Sequence, residues 1–377
     1  IDEQDEDGLR KYGKSKENRP LPIVELGLFI DYDGIPLAMS VHPGNTNEQV
    51  TLKPLEEKLL SEYQMSQFVV CTDAGLASKA NRKFNDLGNR AYIVTQSIKK
   101  LKADLKEWAL DTQGWHRAGH PSPKSIDISK VDKDKDFDTV FYKEQWIERG
   151  GLEEKIIVTF SFKYKEYQRN IRAGQVDRAI KAIDSGKAKR GTKNQNDYRR
   201  FIAKKNITAD GEIAEKSALS LNTERIAEEE QYDGFYAVAS NLDSDPLEII
   251  KVNKMRWQIE ECFRVVKLEF KARPIYVRLE NRIKAHLLTC YIALVLYKYL
   301  DKVTEHRYSC EQLFETLKEM NMLELVGKGY VPAYKRTEIT DMLHEIFGFR
   351  TDYEIIKKDN MKKILKHTKT KIQNAKF

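Results

Sequence analysis

The order of structural elements in the first 98 residues places the strongest constraint on the fold. Two runs rich in β-branched and apolar residues flank Asp33 and Gly34, a short connection typical of a β-hairpin. Helical and strand patterns then alternate. The predicted elements are, in order, strands at 23–31 and 35–43, a helix at 50–63, a strand at 66–75, a helix at 78–87 and a strand at 91–97. This order predicts an α/β fold with a mixed sheet flanked by helices.

The composition fits an ordered, highly charged protein with room for two or three domains. The chain has 377 residues, of which 41% are hydrophobic and 33% charged. Its four cysteines lack paired or metal-ligand spacing, so reduced thiols in a cytosol are expected. The longest apolar run, 287–297, is too short to span a bilayer and predicts a buried helix.

Positive charge is concentrated between residues 163 and 205. This segment holds fourteen Lys/Arg residues against four Asp/Glu residues, and it includes Tyr198 and Phe201. Such a segment can neutralise phosphates and stack on bases, or it can be a solvated helical face. The candidate DNA-binding residues in it are Lys189, Arg190, Arg199 and Arg200.

Residues 253–270 predict one amphipathic helix with a functional stripe. At about 100° per residue, Arg256, Glu260, Arg264 and Lys267 fall within an arc of roughly 80° beside the apolar face. Glu261 points away from this stripe. One acid among three cations is typical of an amphipathic helix with i,i+4 salt bridges.

Asp73 is the second acidic residue that we single out. It ends an almost wholly apolar strand and precedes Ala74 and Gly75. If it is buried, its charge needs a metal ion or a cation nearby, and this end of a strand is where ligands bind in open α/β sheets. Asp73 and Glu260 together would suit Mg²⁺, which prefers carboxylates and water. The alternative is an Asp that caps a turn.

These motifs resemble the DDE transposases of bacterial insertion sequences, in the group named for a Tyr, Arg, Glu and Lys signature. Arg256, Glu260 and Lys267 match its spacing, whereas Asn253 occupies the Tyr position. The CTDAG strand resembles the segment with the family's second Asp, hence Asp73. The runs HPGNTNE, GFYAVASNL and KARPIYVRLENRIKAH are also similar to this group, so the likeness covers nearly the whole chain.

The resemblance implies an RNase H-like core interrupted by a large insertion domain. The expected parts are a first core part (1–98), a basic insertion (99–231), a second core part with the Glu-bearing helix (232–302) and a helical C-terminal region (303–377). It also implies a first catalytic Asp on a strand before the hairpin. Asp2, Asp5 and Asp7 lack a strand pattern, and Asp31 and Asp33 belong to the turn. We therefore expect that the chain is truncated at its N-terminus and that the first catalytic Asp lies upstream of Ile1.

The implied function is cleavage and strand transfer of DNA, assisted by Mg²⁺ or Mn²⁺. Asp73 and Glu260 would be the catalytic metal ligands. Arg256, Arg264 and Lys267 would contact DNA phosphates. Trp257 would stack on an unpaired base, unless it is a core or interface residue.

The implied partners are double-stranded DNA, namely the element's terminal inverted repeats and the target, and a second copy of the chain in a homodimer. No membrane partner is expected, and the implied location is the bacterial cytoplasm, in association with the nucleoid. Two alternatives stay open. One is an RNase H-like nuclease without strand transfer. The other is an inactive DNA-binding remnant, favoured by Asn253 and the missing strand.

Overall fold

The computed structural model describes residues 8–13, 21–64, 67–119, 124–186, 196–207, 216–352 and 354–374. The strands in these ranges are β1 (Val24–Ile30), β2 (Pro36–Pro43), β3 (Phe68–Thr72), β4 (Arg90–Gln96), β5 (His116–Arg117), β6 (Phe141–Glu148), β7 (Glu153–Phe160), β8 (Ile202–Ile207), β9 (Lys216–Leu221), β10 (Phe235–Ser240), β11 (Met322–Leu325) and β12 (Gly329–Pro332). The helices there are α1 (Glu48–Tyr63), α2 (Lys79–Phe84), α3 (Ala103–Leu110), α4 (Phe162–Asp184), α5 (Thr223–Glu230), α6 (Pro246–Lys254), α7 (Trp257–Leu268), α8 (Glu280–Val303), α9 (Cys310–Glu319), α10 (Glu338–Phe347) and α11 (Lys358–Asn374).

The chain divides into two compact units. The sheet unit comprises Met65–Met255, and the hairpin unit comprises Ile1–Gln64 together with Arg256–Phe377. The boundaries expected from the sequence, at residues 98, 231 and 302, reflect changes in sequence pattern and stay a prediction.

The sheet unit is built on a six-stranded mixed sheet with the order β3-β4-β10-β7-β6-β5. Strands β3 and β4 are parallel, and β10 is antiparallel to both β4 and β7. The predicted mixed α/β architecture is therefore confirmed. Strands β5, β6 and β7 come from the region expected to be an insertion, yet they extend the same sheet. Strands β5, β6 and β7 therefore belong to the same sheet as β3, β4 and β10.

Helix α6 covers the middle of this sheet with apolar side chains. Ile249 and Ile250 pack against Ile93, Ile157 and Val238 from β4, β7 and β10, and all five are buried. Each such side chain contributes roughly 1.5–3 kcal/mol when it leaves water. The cluster joins three strands that lie far apart in the sequence, so α6 and the sheet stabilise each other.

The hairpin unit begins with the predicted pair of antiparallel strands, β1 and β2. Asp31 fixes the turn, since its Oδ1 accepts hydrogen bonds from the backbone N–H groups of Asp33 (2.9 Å) and Ile35 (2.8 Å). Gly34 has a φ of +81°, which favours glycine. The local pattern therefore predicted this turn correctly, and the Asp31 side chain holds it.

The core of the hairpin unit lies between α7, α8, α9 and β1. Cys262 and Val265 of α7 pack with Leu294 of α8 and Leu313 of α9, and all four are fully buried. Leu28 of β1 packs on the same cluster. Helix α7 is therefore anchored along its apolar face, as its periodicity predicted.

Helix α8 is longer than the apolar run from which it was predicted. Its 24 residues make it long and apolar enough to cross a membrane by length and composition alone. Ile283 and Leu287 pack in one core cluster, and Leu294 and Tyr297 pack in another. We interpret α8 as a core helix that also has an exposed apolar side.

The single helix expected over residues 253–270 is wrong at its N-terminal end. Helix α6 ends at Lys254 and α7 begins at Trp257. Met255 closes α6 by donating its backbone N–H to the carbonyl groups of Lys251 and Val252. Asn253 is buried in the sheet unit, where its Nδ2 donates to the Tyr236 hydroxyl at 2.7 Å. Met255 and Arg256 keep helical dihedral angles, so the break comes from interrupted hydrogen bonding.

Candidate active site

Asp73 lies directly after β3 and is exposed, so the burial cost expected for its charge does not arise. Its Oδ1 accepts hydrogen bonds from the backbone N–H groups of Gly75 (2.9 Å) and Leu76 (3.1 Å). The turn-capping alternative is therefore correct for this oxygen atom. Within the described residues, nothing donates a hydrogen bond to Oδ2. This second oxygen atom can accept a ligand while the first holds the turn.

Strand β3 is also less buried than its sequence suggested. Val69 is 48% exposed because β3 is an outer strand of the six-stranded sheet. Phe68 and Val70 point to the other side and are buried. Asp73 therefore extends from an outer strand whose apolar residues fix its position.

Glu260 lies in the first turn of α7 and is exposed. It forms no ion pair or hydrogen bond with any residue that the structure describes. The adjacent Glu261 behaves differently, because Arg264 donates to both of its carboxylate oxygen atoms, at 2.8 and 2.6 Å. These hydrogen bonds lower the pKa of Glu261 below its usual value. Glu261 therefore forms a salt bridge on this helix, whereas Glu260 forms none with the described residues.

Arg256 and Trp257 lie at the start of α7. The Nε of Arg256 is buried and lacks a hydrogen-bond acceptor among the described residues, and the guanidinium makes no ion pair with them. Trp257 is 57% exposed, so it is not a core residue. The first turn of α7 thus presents a carboxylate, a guanidinium and an indole ring.

The other two cations of the predicted stripe have partners within the protein. Arg264 pairs with Glu261 and also lies 3.5 Å from Glu269. The Nζ of Lys267 lies 5.5 Å from the ring centre of Phe263. The charge of Arg264 is therefore already neutralised by acids of its own helix end.

The basic segment is partly neutralised by acids, several from outside it. Arg200 is enclosed and donates to Glu229 at 3.0 Å, and it also contacts Gln175. Arg199 forms hydrogen bonds with both oxygen atoms of Asp197. Further pairs in the segment are Lys163–Asp138, Arg169–Glu230 and Arg172–Asp233. The predicted DNA-binding role of Arg200 conflicts with its burial, whereas Lys189 and Arg190 lie outside the described residues.

Of the aspartates considered for the first catalytic position, Asp31 and Asp33 already have partners within the hairpin unit. Asp31 holds the hairpin turn, and Asp33 pairs with Lys302 at 2.8 Å. Asp2, Asp5 and Asp7 lie outside the described residues.

A separate cluster in the C-terminal region could in principle hold a metal ion. Asp341, His344 and Asp352 place one ligand atom each within 4.8 Å of the others. However, the Arg350 guanidinium donates to both aspartates, and Arg336 donates to Asp341. These bonds lower the pKa of both carboxyl groups, and burial lowers the pKa of His344. Two guanidinium groups already neutralise the carboxylates, so we interpret the cluster as a stabilising network.

Sequence reasoning missed two features of α7 and of the segment that follows it. The pairing of Glu261 with Arg264 is an i,i+3 contact that the 80° stripe obscured. Tyr276, which follows α7, is 87% exposed between two partly buried residues. The period-2 alternation of Ile275, Tyr276, Val277 and Arg278 is the signal that would have shown it.

Comparison with known proteins adds one finding. The family model described as a transposase DDE domain matches residues 3–296, about four fifths of the chain. No curated protein gave a significant match.

Proposed function

Because this chain belongs to the transposase DDE domain family, we propose that it cleaves DNA and transfers strands with the help of Mg²⁺ or Mn²⁺. Membership makes it a transposase with DNA as its general substrate. The metal dependence, the strand transfer and the residues that carry them form the proposal. An RNase H-like arrangement of the catalytic core belongs to the same proposal.

The observation that carries the proposal is the state of Glu260. A surface glutamate beside cations normally forms an ion pair, as Glu261 does with Arg264. Glu260 has no such partner among the described residues, although Arg256 precedes it by one turn. A carboxylate kept exposed and unpaired at the family's Glu position suits a ligand that the protein does not supply itself.

The chemistry of the two carboxylates fits a hard divalent cation. Asp73 offers Oδ2, and Glu260 offers both carboxylate oxygen atoms, all of them without described protein donors. Mg²⁺ binds through one or two carboxylates and retains several water molecules. When bound, Mg²⁺ or Mn²⁺ would activate water or a DNA 3′-hydroxyl group and stabilise charge at the phosphodiester.

The protein's own residues would position the DNA around this cation. Arg256 has an unsatisfied donor and would bind a phosphate next to the scissile bond. Lys267 would bind a second phosphate two turns further along α7. Trp257 is exposed and would stack on an unpaired base. Arg264 and Arg200 are left out of this set because acids of the protein already neutralise them.

Further parts of the proposal rest on family resemblance alone. The DNA would be the element's terminal inverted repeats and the target site, handled in a bacterial cytoplasm by a homodimer. Lys189 and Arg190 would add phosphate contacts along the terminal DNA, whereas Arg199 is already paired with Asp197. Asn253 at the family's Tyr position favours the inactive remnant, and no described feature favours the nuclease over the transposase.

An end-joining assay tests the reaction type. The protein is incubated with labelled element-end DNA and a supercoiled plasmid. We expect joined product with Mg²⁺ or Mn²⁺ and none with EDTA, because the cation supplies the charge stabilisation. Cleaved ends without joined product would identify a nuclease, and binding without cleavage would identify an inactive remnant.

A further inference from the structure

The segment between α7 and α8 carries an exposed aromatic ring among cations. We define the interhelix patch as Lys271, Tyr276, Arg278 and Arg282. Tyr276 is 87% exposed, and its hydroxyl forms no hydrogen bond with any residue that the structure describes. An aromatic side chain this exposed contributes little to the stability of the folded chain, so its position calls for another explanation.

Neighbouring residues hold Tyr276 in its outward position. Ile275 and Val277 both pack against the buried cluster of Leu9, Ile283 and Leu287. With the residues on both sides of it anchored in the core, Tyr276 cannot turn inward without breaking these contacts. The ring is therefore presented on an ordered support, which lowers the entropy cost of binding a ligand.

The patch also has an excess of positive charge. Residues 271–284 contain five Lys/Arg residues and one acid, Glu280. Glu280 accepts a hydrogen bond from Lys284 at 2.6 Å, so its charge is already matched. Lys271, Arg278 and Arg282 have no acidic partner within the described part of the chain. The patch therefore lacks counter-charge that a ligand can supply.

We propose that the interhelix patch binds an unpaired nucleotide of the DNA substrate. The ring of Tyr276 stacks on the base, and Arg278 and Arg282 bind the flanking phosphates. A nucleotide offers a flat base that can stack on the Tyr276 ring and a negative charge that can pair with the cations of the patch. An acidic protein surface would match the charge but gives no reason for a single outward ring. The inference rests on the proposed function for its choice of DNA, and it adds a contact site separate from Trp257.

Binding to two DNA duplexes tests the inference. Fluorescence anisotropy in EDTA compares a blunt duplex with one that carries a single-stranded 3′ overhang. We expect Tyr276→Ala to weaken binding of the overhang duplex by about 5- to 100-fold, the range for loss of one base stack. Its binding of the blunt duplex and its melting temperature should stay unchanged. Tyr276→Phe keeps the ring and should bind like the wild type.

Matched variants separate stacking from charge. Arg278→Ala should weaken binding of the overhang duplex and reduce the salt dependence of that binding by about one phosphate contact, whereas Tyr276→Ala should leave the salt dependence unchanged. Tyr32→Ala is the control, because Tyr32 is 52% exposed on the hairpin turn between two aspartates and should not matter.

Three results would overturn the inference. In the first, Tyr276→Ala binds both duplexes as the wild type does. In the second, it loses affinity for both duplexes equally. In the third, it changes the oligomeric state measured by sedimentation, which would make the patch a protein interface. A wild-type protein that binds neither duplex would instead refute the proposed function itself.

Discussion

Replacing Glu260 with Gln is expected to lower DNA cleavage at least about 10³-fold, equivalent to roughly 4 kcal/mol of transition-state stabilisation. Gln keeps the size of the side chain and removes its charge, so the loss reports on a metal ligand and not on packing. Glu260 is exposed and forms no hydrogen bond or ion pair with the described residues, so the folded state should be unaffected. The measurement is the single-turnover rate of cleavage at saturating Mg²⁺.

The adjacent residue supplies a matched control for this variant. Glu261→Gln removes the same charge from the same helix but breaks only the exposed pair with Arg264, so activity should stay within about tenfold. Asp73→Asn should behave like Glu260→Gln, with an additional small loss of turn stability. Equal activity of Glu260→Gln and Glu261→Gln would contradict the assignment of Glu260.

Replacing Asp233 with Asn is expected to destabilise the sheet unit by about 3 kcal/mol, the lower end of the cost of breaking a buried ion pair, because Arg172 keeps only the half-exposed Glu230 at 3.7 Å. Asp233 forms hydrogen bonds through both carboxylate oxygen atoms with the Arg172 guanidinium, and both side chains are at least nine-tenths buried. The pair connects α4 to the turn before β10. Chemical denaturation followed by circular dichroism measures the change in the free energy of unfolding.

An exposed pair on the same helix is the control. Arg169 lies 4.0 Å from Glu230 with both side chains more than half exposed, so Arg169→Ala should cost less than about 1 kcal/mol. A loss for Asp233→Asn as small as that for Arg169→Ala would show that Arg172 reaches water once its partner is gone. The structural importance that we assign to this part of the basic segment would then be wrong.

Local sequence patterns predicted the elements that depend on local interactions. The Asp-Gly turn predicted the hairpin of β1 and β2, because Asp31 and Gly34 determine that turn by themselves. In the same way, helical periodicity predicted that one face of α7 is apolar and packs in the core. Neither result required knowledge of which elements meet.

Features that depend on distant partners could not be predicted. Arg200 seemed available to DNA, yet it pairs with Glu229, an acid 29 residues away that folding brings beside it. No Pro or Gly in the sequence marks the break at Met255. The break coincides with the burial of Asn253, which donates a hydrogen bond to Tyr236. Asp73 was expected to be buried because its strand is apolar, but the position of β3 at one side of the sheet exposes it.

The candidate site was therefore predicted in part. The spacing of Arg256, Glu260 and Lys267 located the relevant turn of α7, because spacing along one helix determines which residues share a face. The spacing did not show that Arg264 pairs with Glu261, since side-chain partners depend on rotamers. The same limit explains why Glu260 could not be identified as the unpaired acid from the sequence.

Iron-directed cleavage of the polypeptide tests the central claim of the proposed function, that Asp73 and Glu260 are ligands of the divalent cation. Fe²⁺ replaces Mg²⁺ in the DNA-bound protein, peroxide and ascorbate are added, and mass spectrometry locates the breaks in the chain. We expect breaks next to Asp73 and next to Glu260, both suppressed by excess Mg²⁺. Both should also disappear in Glu260→Gln and persist in Glu261→Gln. Breaks near Asp73 that survive in Glu260→Gln, or no breaks at either residue, would contradict the claim.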